Sequence, residues 1–152
     1  MEGLKEKGIK AMAITSVMSS KEIDIAFDNC VYGGYKFLYL SPERLSSDLA
    51  KARIKKMNVS LIAVDEAHCV SQWGYDFRPS YLKIAEIREI LSAVPILALT
   101  ATATPEVVED IQKKLLFKKA NVLKKSFERE NLAYVVIHEE DKLNRMLKVI
   151  TK

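Results

Sequence analysis

The chain has 152 residues, of which 49% are hydrophobic and 29% are charged, and its formal net charge is +4. This composition is typical of a globular domain and excludes collagen-like, intrinsically disordered and membrane-embedded classes. Two cysteines, Cys30 and Cys69, are too few and too far apart for a disulfide scaffold or a cysteine-rich zinc site, which favours a reducing compartment. Because the sequence shows no signal peptide and no apolar stretch of membrane-spanning length, we expect a cytoplasmic, nucleoid-associated protein without a membrane partner.

The positive charge is concentrated towards the C-terminal end. Residues 113–130 carry seven cations and two anions, a local charge of +5, which leaves 17 cations and 18 anions, or −1, for the rest of the chain. Such a segment is either a solvated helix face with a linker or a patch that follows phosphates.

Short apolar runs alternate with segments of helical period. Strands are predicted at residues 11–14, 36–40, 60–64 and 96–99, and helices at 21–29, 41–57, 81–91 and from Thr104 onward. The helix starts at Ser41 and Thr104 each combine a capping side chain, a first-turn proline and an acid. The run at 60–64 is of the kind that is buried on both faces of a parallel sheet, whereas 65–80 should be irregular. The alternation predicts βαβ units in a three-layer α/β fold with a mostly parallel sheet.

The last part of the chain has a different pattern. Residues 121–129 are expected to form an extended connector, 133–137 a short β-branched strand and 139–150 a helix. We therefore predict a first domain over residues 1–125 and the beginning of a second over 126–152.

Paired acids follow the third predicted strand. Ligands of parallel α/β sheets bind beyond the carboxyl ends of the strands, which is where Asp65 and Glu66 should lie. Asp65 suits a Mg²⁺ ion held through water, and Glu66 suits a base that orients or deprotonates an attacking water. The alternative is an ordinary exposed start of a loop.

The run from Val64 to Tyr81, VDEAHCVSQWGYDFRPSY, resembles the RecQ family of DEAH-type superfamily-two DNA helicases. Asp65-Glu66-Ala67-His68 is similar to its Walker B box, residues 72–79 to its aromatic-rich loop, and residues 98–103, ALTATA, to its motif III. Residues 39–45 and 126–132 resemble it more weakly, so the likeness covers nearly the whole chain. Departures from the family pattern are Tyr75 where His is usual, Ser80 where an acid is common, and Glu130 where Pro is usual.

The resemblance implies a RecA-like fold of the P-loop NTPase class, incomplete at its N-terminal side. It also implies an enzyme that couples ATP hydrolysis, with ATP and Mg²⁺ as cofactors, to 3′-to-5′ unwinding of duplex DNA in repair or recombination. Asp65, Glu66 and His68 would serve the ATP site, with His68 coupling it to the aromatic-rich loop. Thr100 and Thr102 would relay hydrolysis to strand separation.

The same resemblance implies a loop that senses single-stranded DNA and signals to the ATP site. Its nucleic-acid-binding set is Gln72, Trp73, Tyr75, Phe77 and Arg78. Aromatic faces stack on bases without reading sequence, at about 1–3 kcal/mol per base, and arginine adds a phosphate or cation–π contact. The alternative is that Trp73 and Phe77 only pack the loop onto the domain. Metal ligation by His68 or Cys69 is disfavoured, because H-E-x-x-H is absent and no second His is near.

A phosphate cradle is missing from the sequence. None of the five glycines stands in the P-loop pattern G-x-x-x-x-G-K-[ST], so we expect this chain alone to hydrolyse no ATP and to bind it poorly. The leading hypothesis is thus a segment of a DNA helicase motor. The alternatives are a non-catalytic module that binds single-stranded nucleic acid and an α/β domain that only offers a protein-interaction surface. An incomplete sheet would expose an edge and an apolar face, which predicts a dimer or an exchanged segment.

Overall fold

The computed structural model describes residues 1–125 and 129–151. The chain divides into two compact units, Met1–Ala120 and Asn121–Lys152. This division falls five residues before the expected boundary at 125, and the assignment of the second unit to a second motor domain stays a prediction. No helix within the described ranges is both long and apolar enough to cross a membrane.

The first unit opens with a short helix, α1 (Glu2–Glu6), that the sequence analysis missed, and then forms a βαβ unit. Strands β1 (Ala11–Ile14) and β2 (Phe37–Leu40) pair in parallel over four residues each, as predicted. Helix α2 (Ser20–Tyr32) connects them and is longer than the predicted 21–29. Its start is fixed by a capping box, in which the Ser19 hydroxyl accepts the Glu22 backbone N–H at 3.3 Å and the Glu22 carboxylate accepts the Ser19 backbone N–H at 2.8 Å.

The predicted single helix over residues 41–57 is wrong. The chain forms a 3₁₀ turn, Pro42–Ser46, and then a separate helix, α3 (Asp48–Lys56). Ser41 makes no capping hydrogen bond, whereas the Ser47 hydroxyl accepts the backbone N–H three residues on, at 3.2 Å. Ser47 has extended backbone angles, φ −79° and ψ 139°, which a capping residue needs and a helical residue cannot have, so the helix restarts there.

A second βαβ unit forms a separate two-stranded sheet. Strands β3 (Ile62–Val64) and β4 (Ile96–Ala98) pair in parallel, and helix α4 (Lys83–Ile90) lies between them in sequence. A 3₁₀ turn, Pro79–Leu82, precedes α4 and delays its start relative to the prediction. Parallel strands joined through helices confirm the α/β class, with the described strands arranged as two parallel pairs, β1–β2 and β3–β4.

Only one face of the β3–β4 pair is buried, so the expectation that residues 60–64 are covered on both faces is wrong. Val64 packs into the hydrophobic core at 4% exposure. The opposite face, here called the open strand face, consists of Leu61, Ala63, Leu97 and Leu99. Its three leucines are 44–51% exposed, because nothing in the described first unit covers them.

Helix α5 (Pro105–Lys114) begins as predicted at Thr104, whose hydroxyl accepts the backbone N–H of Val107 at 3.4 Å. Val107 and Ile111 are buried on one side of the helix, and Leu115 is fully buried just after its end. These side chains fix α5 against the core, which places its polar residues beside the site described below.

In the second unit, the described residues 129–151 hold one helix, α6 (Lys142–Ile150), capped by the Asp141 carboxylate. The predicted strand at 133–137 is wrong, since these residues are exposed and form no strand. β-branched side chains favour strands only where a neighbouring strand can accept the backbone hydrogen bonds, and the described part of this unit offers none. Residues 126–128, which belong to the predicted connector and to the weak resemblance at 126–132, lie outside the described residues.

Glu86 on α4 supplies a pH-dependent contact within the first unit. It pairs with Lys51 at 2.7 Å and Lys83 at 2.9 Å, and the hydrogen bonds from these two ammonium groups lower its pKa from 4.5 to about 2. A lowered folded-state pKa gives stability that is present above pH 4.5 and is lost as the pH falls towards 2. Glu86→Gln should therefore flatten the decline of the unfolding free energy in that range, measured by urea denaturation. Glu89→Gln, at an exposed position of the same helix, should keep the decline, and an equal effect of both changes would contradict the assignment.

Candidate nucleotide and nucleic-acid site

The paired acids lie where the sequence predicts, immediately after β3 and exposed to solvent. Glu66 has left-handed backbone angles, φ 48° and ψ 41°, which are uncommon for a residue with a Cβ and cluster at functional sites. The turn ends the strand and begins the 3₁₀ segment Ala67–Val70. Oδ1 of Asp65 accepts the Glu66 backbone N–H at 2.9 Å, which holds the first carboxylate close to the strand end.

Backbone hydrogen bonds join this segment to the run that resembles motif III. The Ala67 N–H donates to the Leu99 carbonyl at 2.9 Å, and the Leu99 N–H donates to the Val64 carbonyl at 2.8 Å. The parallel register of β3 and β4 thus continues past the strands themselves. It brings residues 65–68 and 98–102 to the same end of the strand pair.

His68 lies between the acids and the threonines. Its side chain is 3% exposed, and its Nδ1 shares a 3.0 Å hydrogen bond with the Thr100 hydroxyl and lies 3.4 Å from Oε2 of Glu66. The Thr102 N–H donates to the same hydroxyl at 3.3 Å. The structure therefore brings together four residues that the sequence analysis selected, while their catalytic roles stay predictions.

The donor set at this edge fits a magnesium ion. Asp65 and Glu66 offer exposed carboxylate oxygens at the carboxyl end of a strand, and hard oxygen ligands are what Mg²⁺ prefers. In contrast, the 152 residues contain no P-loop pattern that could bind the phosphates.

The aromatic-rich loop folds back onto the 3₁₀ segment. The Gly74 N–H donates to the Ser71 carbonyl at 3.1 Å, and the Arg78 N–H donates to the Cys69 carbonyl at 2.9 Å. Gln72 is exposed, and Trp73 is 79% exposed, so its ring is free to stack on a base. For Trp73, the alternative of packing onto the domain does not describe this structure.

Two further aromatic residues connect the loop to its surroundings. The Tyr75 ring is 78% exposed on the whole, yet one face stacks on the His68 ring with centroids 4.9 Å apart and planes 19° apart. Phe77 is only partly exposed and lies under the Lys114 ammonium, 5.7 Å from the ring centroid. Of the two residues expected to stack on bases or pack the loop, Trp73 is thus presented to solvent and Phe77 contributes to packing.

Arg78 is exposed but forms a salt bridge with Asp76. Its Nη2 and Nε donate to Oδ2 of Asp76 at 2.6 and 3.1 Å, and these bonds hold the pKa of Asp76 below its ordinary value. Contact between Arg78 and a phosphate would therefore compete with this pair.

An anchor on α5 was not predicted from the sequence. The buried Ser71 hydroxyl donates to Oδ2 of Asp110 at 2.6 Å and also accepts the Trp73 N–H at 3.2 Å. Lys114 pairs with Asp110 at 3.0 Å and donates to the Val70 carbonyl at 3.3 Å. Burial alone would raise the pKa of Asp110, but the hydrogen bonds from Ser71 and Lys114 hold it below its ordinary value. The four-residue spacing of Asp110 and Lys114 on one helix was the available signal, and many solvent-exposed pairs share it.

Comparison with known proteins adds a family to this geometry. The sequence profile of the DEAD/DEAH box helicases matches residues 1–111. The chain belongs to the DEAD/DEAH box helicase family. Its similarity to curated RecQ helicases over most of its own length confirms the resemblance drawn from its motifs.

Two curated relatives from Bacillus subtilis (strain 168) show how similar this chain is to DNA helicases of the RecQ type. The ATP-dependent DNA helicase RecQ is 46% identical over 143 residues, which cover 93% of this DEAD/DEAH box chain and 24% of the relative. The probable ATP-dependent DNA helicase RecS is 39% identical over 151 residues, which cover 99% of this chain and 30% of the relative. This chain therefore spans only 24–30% of the length of these relatives.

A solved structure supports the fold of this DEAD/DEAH box chain. The Pyrococcus furiosus Hef helicase domain superposes with a TM-score of 0.50 at 27% identity, over 71% of this chain and 21% of that one. The likeness supports the partial RecA-like fold that the resemblance implied.

Gly74 is required for the close return of the aromatic-rich loop. A Cβ at this position would lie 2.7 Å from the His68 carbonyl oxygen and 3.2 Å from that of Ser71, and neither backbone atom can rotate away. Gly74→Ala should therefore shift the emission of Trp73, the one tryptophan of the chain, and lower the unfolding free energy by about 1–3 kcal/mol. Gly3→Ala, where a Cβ meets open space, is the matched control. Emission and stability equal to those of the unchanged chain would show that the loop lies elsewhere.

Proposed function

We propose that this chain is the part of an ATP-dependent DNA helicase that connects nucleotide hydrolysis to contact with single-stranded DNA. One observation carries the proposal. Nδ1 of the buried His68 ring is hydrogen-bonded to the Thr100 hydroxyl and lies 3.4 Å from the Glu66 carboxylate. The same ring stacks on Tyr75 in the aromatic-rich loop. One buried side chain thus contacts both the loop and Glu66, which gives a physical route for coupling between them.

On this proposal the acids divide the chemistry. Asp65 would hold a Mg²⁺ ion, and when bound that ion would supply positive charge against the negative charge of the phosphoryl group. Glu66 orients or deprotonates the attacking water, for which its carboxylate is exposed. His68 keeps Glu66 in place, and Thr100 and Thr102 report the state of the site to the neighbouring strand end.

The DNA contact is assigned to the exposed part of the loop. Trp73 offers an uncovered ring for stacking, and Gln72 and Arg78 lie exposed beside it. Stacking reads no sequence, so we expect no sequence preference, with both single strands and the duplex ahead of them as partners. Unwinding in the 3′-to-5′ direction and a role in repair or recombination complete the proposal for the whole protein, whose relatives are named ATP-dependent DNA helicases. We also propose that this chain self-associates through the open strand face, because its apolar side chains are exposed.

A second candidate is a module that binds single-stranded nucleic acid without catalysis. It is favoured by the absence of a P-loop pattern from these 152 residues. The two candidates share the loop contact and differ in whether Glu66 acts on a nucleotide.

Loss of the Trp73 ring tests the nucleic-acid contact on this chain directly. We expect weak, salt-sensitive binding of a fluorescently labelled oligothymidine, measured by anisotropy, and a loss of about 1–3 kcal/mol in Trp73→Ala. Trp73→Phe should keep most of the affinity because it keeps an aromatic face. Tyr134→Ala removes a ring that is 96% exposed outside the loop and should have no effect. Equal affinities of Trp73→Ala and the unchanged chain would remove the loop from the interface.

The catalytic assignment is tested by turnover. The chain alone should show no DNA-stimulated ATP hydrolysis, because it has no phosphate cradle. In a longer form that supplies an in-frame P-loop, Glu66→Gln should abolish hydrolysis while nucleotide binding stays largely intact. Near-normal turnover of that variant would overturn the role of Glu66, and robust turnover by the chain alone would overturn the need for the cradle.

A further inference from the structure

Three side chains with metal-ligating atoms converge where the 3₁₀ segment meets the aromatic-rich loop. His68 Nε2 and Asp76 Oδ2 each lie 3.7 Å from Cys69 Sγ, and the ligand atoms of the three residues lie within 4.8 Å of one another. His68 and Cys69 are 2% and 1% exposed, while Asp76 is partly exposed. The sequence pattern alone disfavours metal ligation by His68 or Cys69, but from this geometry we propose that the three residues form a binding site for a thiophilic divalent cation such as Zn²⁺.

The spacing fits a tetrahedral ion. Zn²⁺ bonds of about 2.3 Å to sulfur and about 2.0–2.1 Å to nitrogen or oxygen place neighbouring ligand atoms roughly 3.6 Å apart. Both distances to Cys69 Sγ already match, and the third pair, His68 Nε2 and the Asp76 carboxylate, lies within 4.8 Å, so the carboxylate must move closer to Nε2 to complete the set. A sulfur ligand selects Zn²⁺ or Cd²⁺ over Mg²⁺, so this site is distinct from the hard-oxygen site at Asp65.

The histidine is held in the orientation that ligation requires. Its Nδ1 bonds the Thr100 hydroxyl at 3.0 Å and faces the Glu66 carboxylate at 3.4 Å, so the proton is favoured on Nδ1 and the Nε2 lone pair faces Cys69. Partners behind the remote ring nitrogen are the usual way in which proteins orient a metal-binding histidine.

One neighbour opposes the ion. Arg78 donates two hydrogen bonds to Oδ2 of Asp76, so a cation must share that carboxylate with a guanidinium and must also displace the thiol proton of Cys69. Arg78 thereby limits the affinity, and its removal should strengthen binding.

Cadmium reports thiolate ligation by its ultraviolet charge-transfer band, so Cd²⁺ is titrated into the chain reduced with a phosphine. The band should saturate at one equivalent and disappear on addition of Zn²⁺. Cys69→Ser should abolish it, whereas Cys30→Ser, which removes the other free thiol, should keep it. Asp76→Asn should weaken binding roughly tenfold, and Arg78→Gln should tighten it roughly tenfold.

A band that persists in Cys69→Ser, disappears in Cys30→Ser, or never saturates would overturn the site. Circular dichroism checks that the variants fold. If Cys69→Ser does not fold, the Cd²⁺ affinity of Asp76→Asn tests the site instead, because a change to a partly exposed side chain should leave the fold intact. An unchanged Cd²⁺ affinity in that variant would overturn the site. None of these readouts involves nucleotide or DNA, so they are independent of the proposed helicase function.

Discussion

The hydrogen bond between Nδ1 of His68 and the hydroxyl of Thr100 is the contact on which the rest of the site depends. It joins the ends of two parallel strands through a side chain that is almost completely buried. A buried polar group left without a partner costs about 1–3 kcal/mol, so the ring is held where Thr100 lies. That position in turn places Glu66 on one side of the ring and Tyr75 on its face. Glu66 and the aromatic-rich loop are therefore connected through one buried side chain.

The residues that the sequence located correctly are those governed by local rules. Asp65 and Glu66 directly follow a strand, so their position requires only the strand to be recognised. Thr104 caps α5 because its own hydroxyl reaches the backbone of the next turn. The helix break at Ser47 was missed because Ser41-Pro42-Glu43 carries strong start signals and no Gly or Pro marks the break between residues 43 and 48.

The features that the sequence did not reveal depend on contacts between distant segments. The bond from Ser71 to Asp110 spans 39 residues, and no local pattern pairs a loop serine with a helix aspartate. The approach of Asp76 to Cys69 arises only because the loop turns back at Gly74. The exposure of the open strand face could be anticipated in kind, since an α/β sheet without all of its layers leaves apolar side chains uncovered.

The central claim is that binding of nucleic acid to the aromatic-rich loop changes the environment of the buried His68 ring. Nuclear magnetic resonance of the chain titrated with an unstructured single-stranded oligonucleotide tests it most directly, since His138 is exposed in the other unit and serves as an internal reference. The account predicts that the His68 ring signals shift in step with the Trp73 indole signal, with the same apparent Kd, while those of His138 stay in place. A titration in which Trp73 shifts and His68 does not would contradict it.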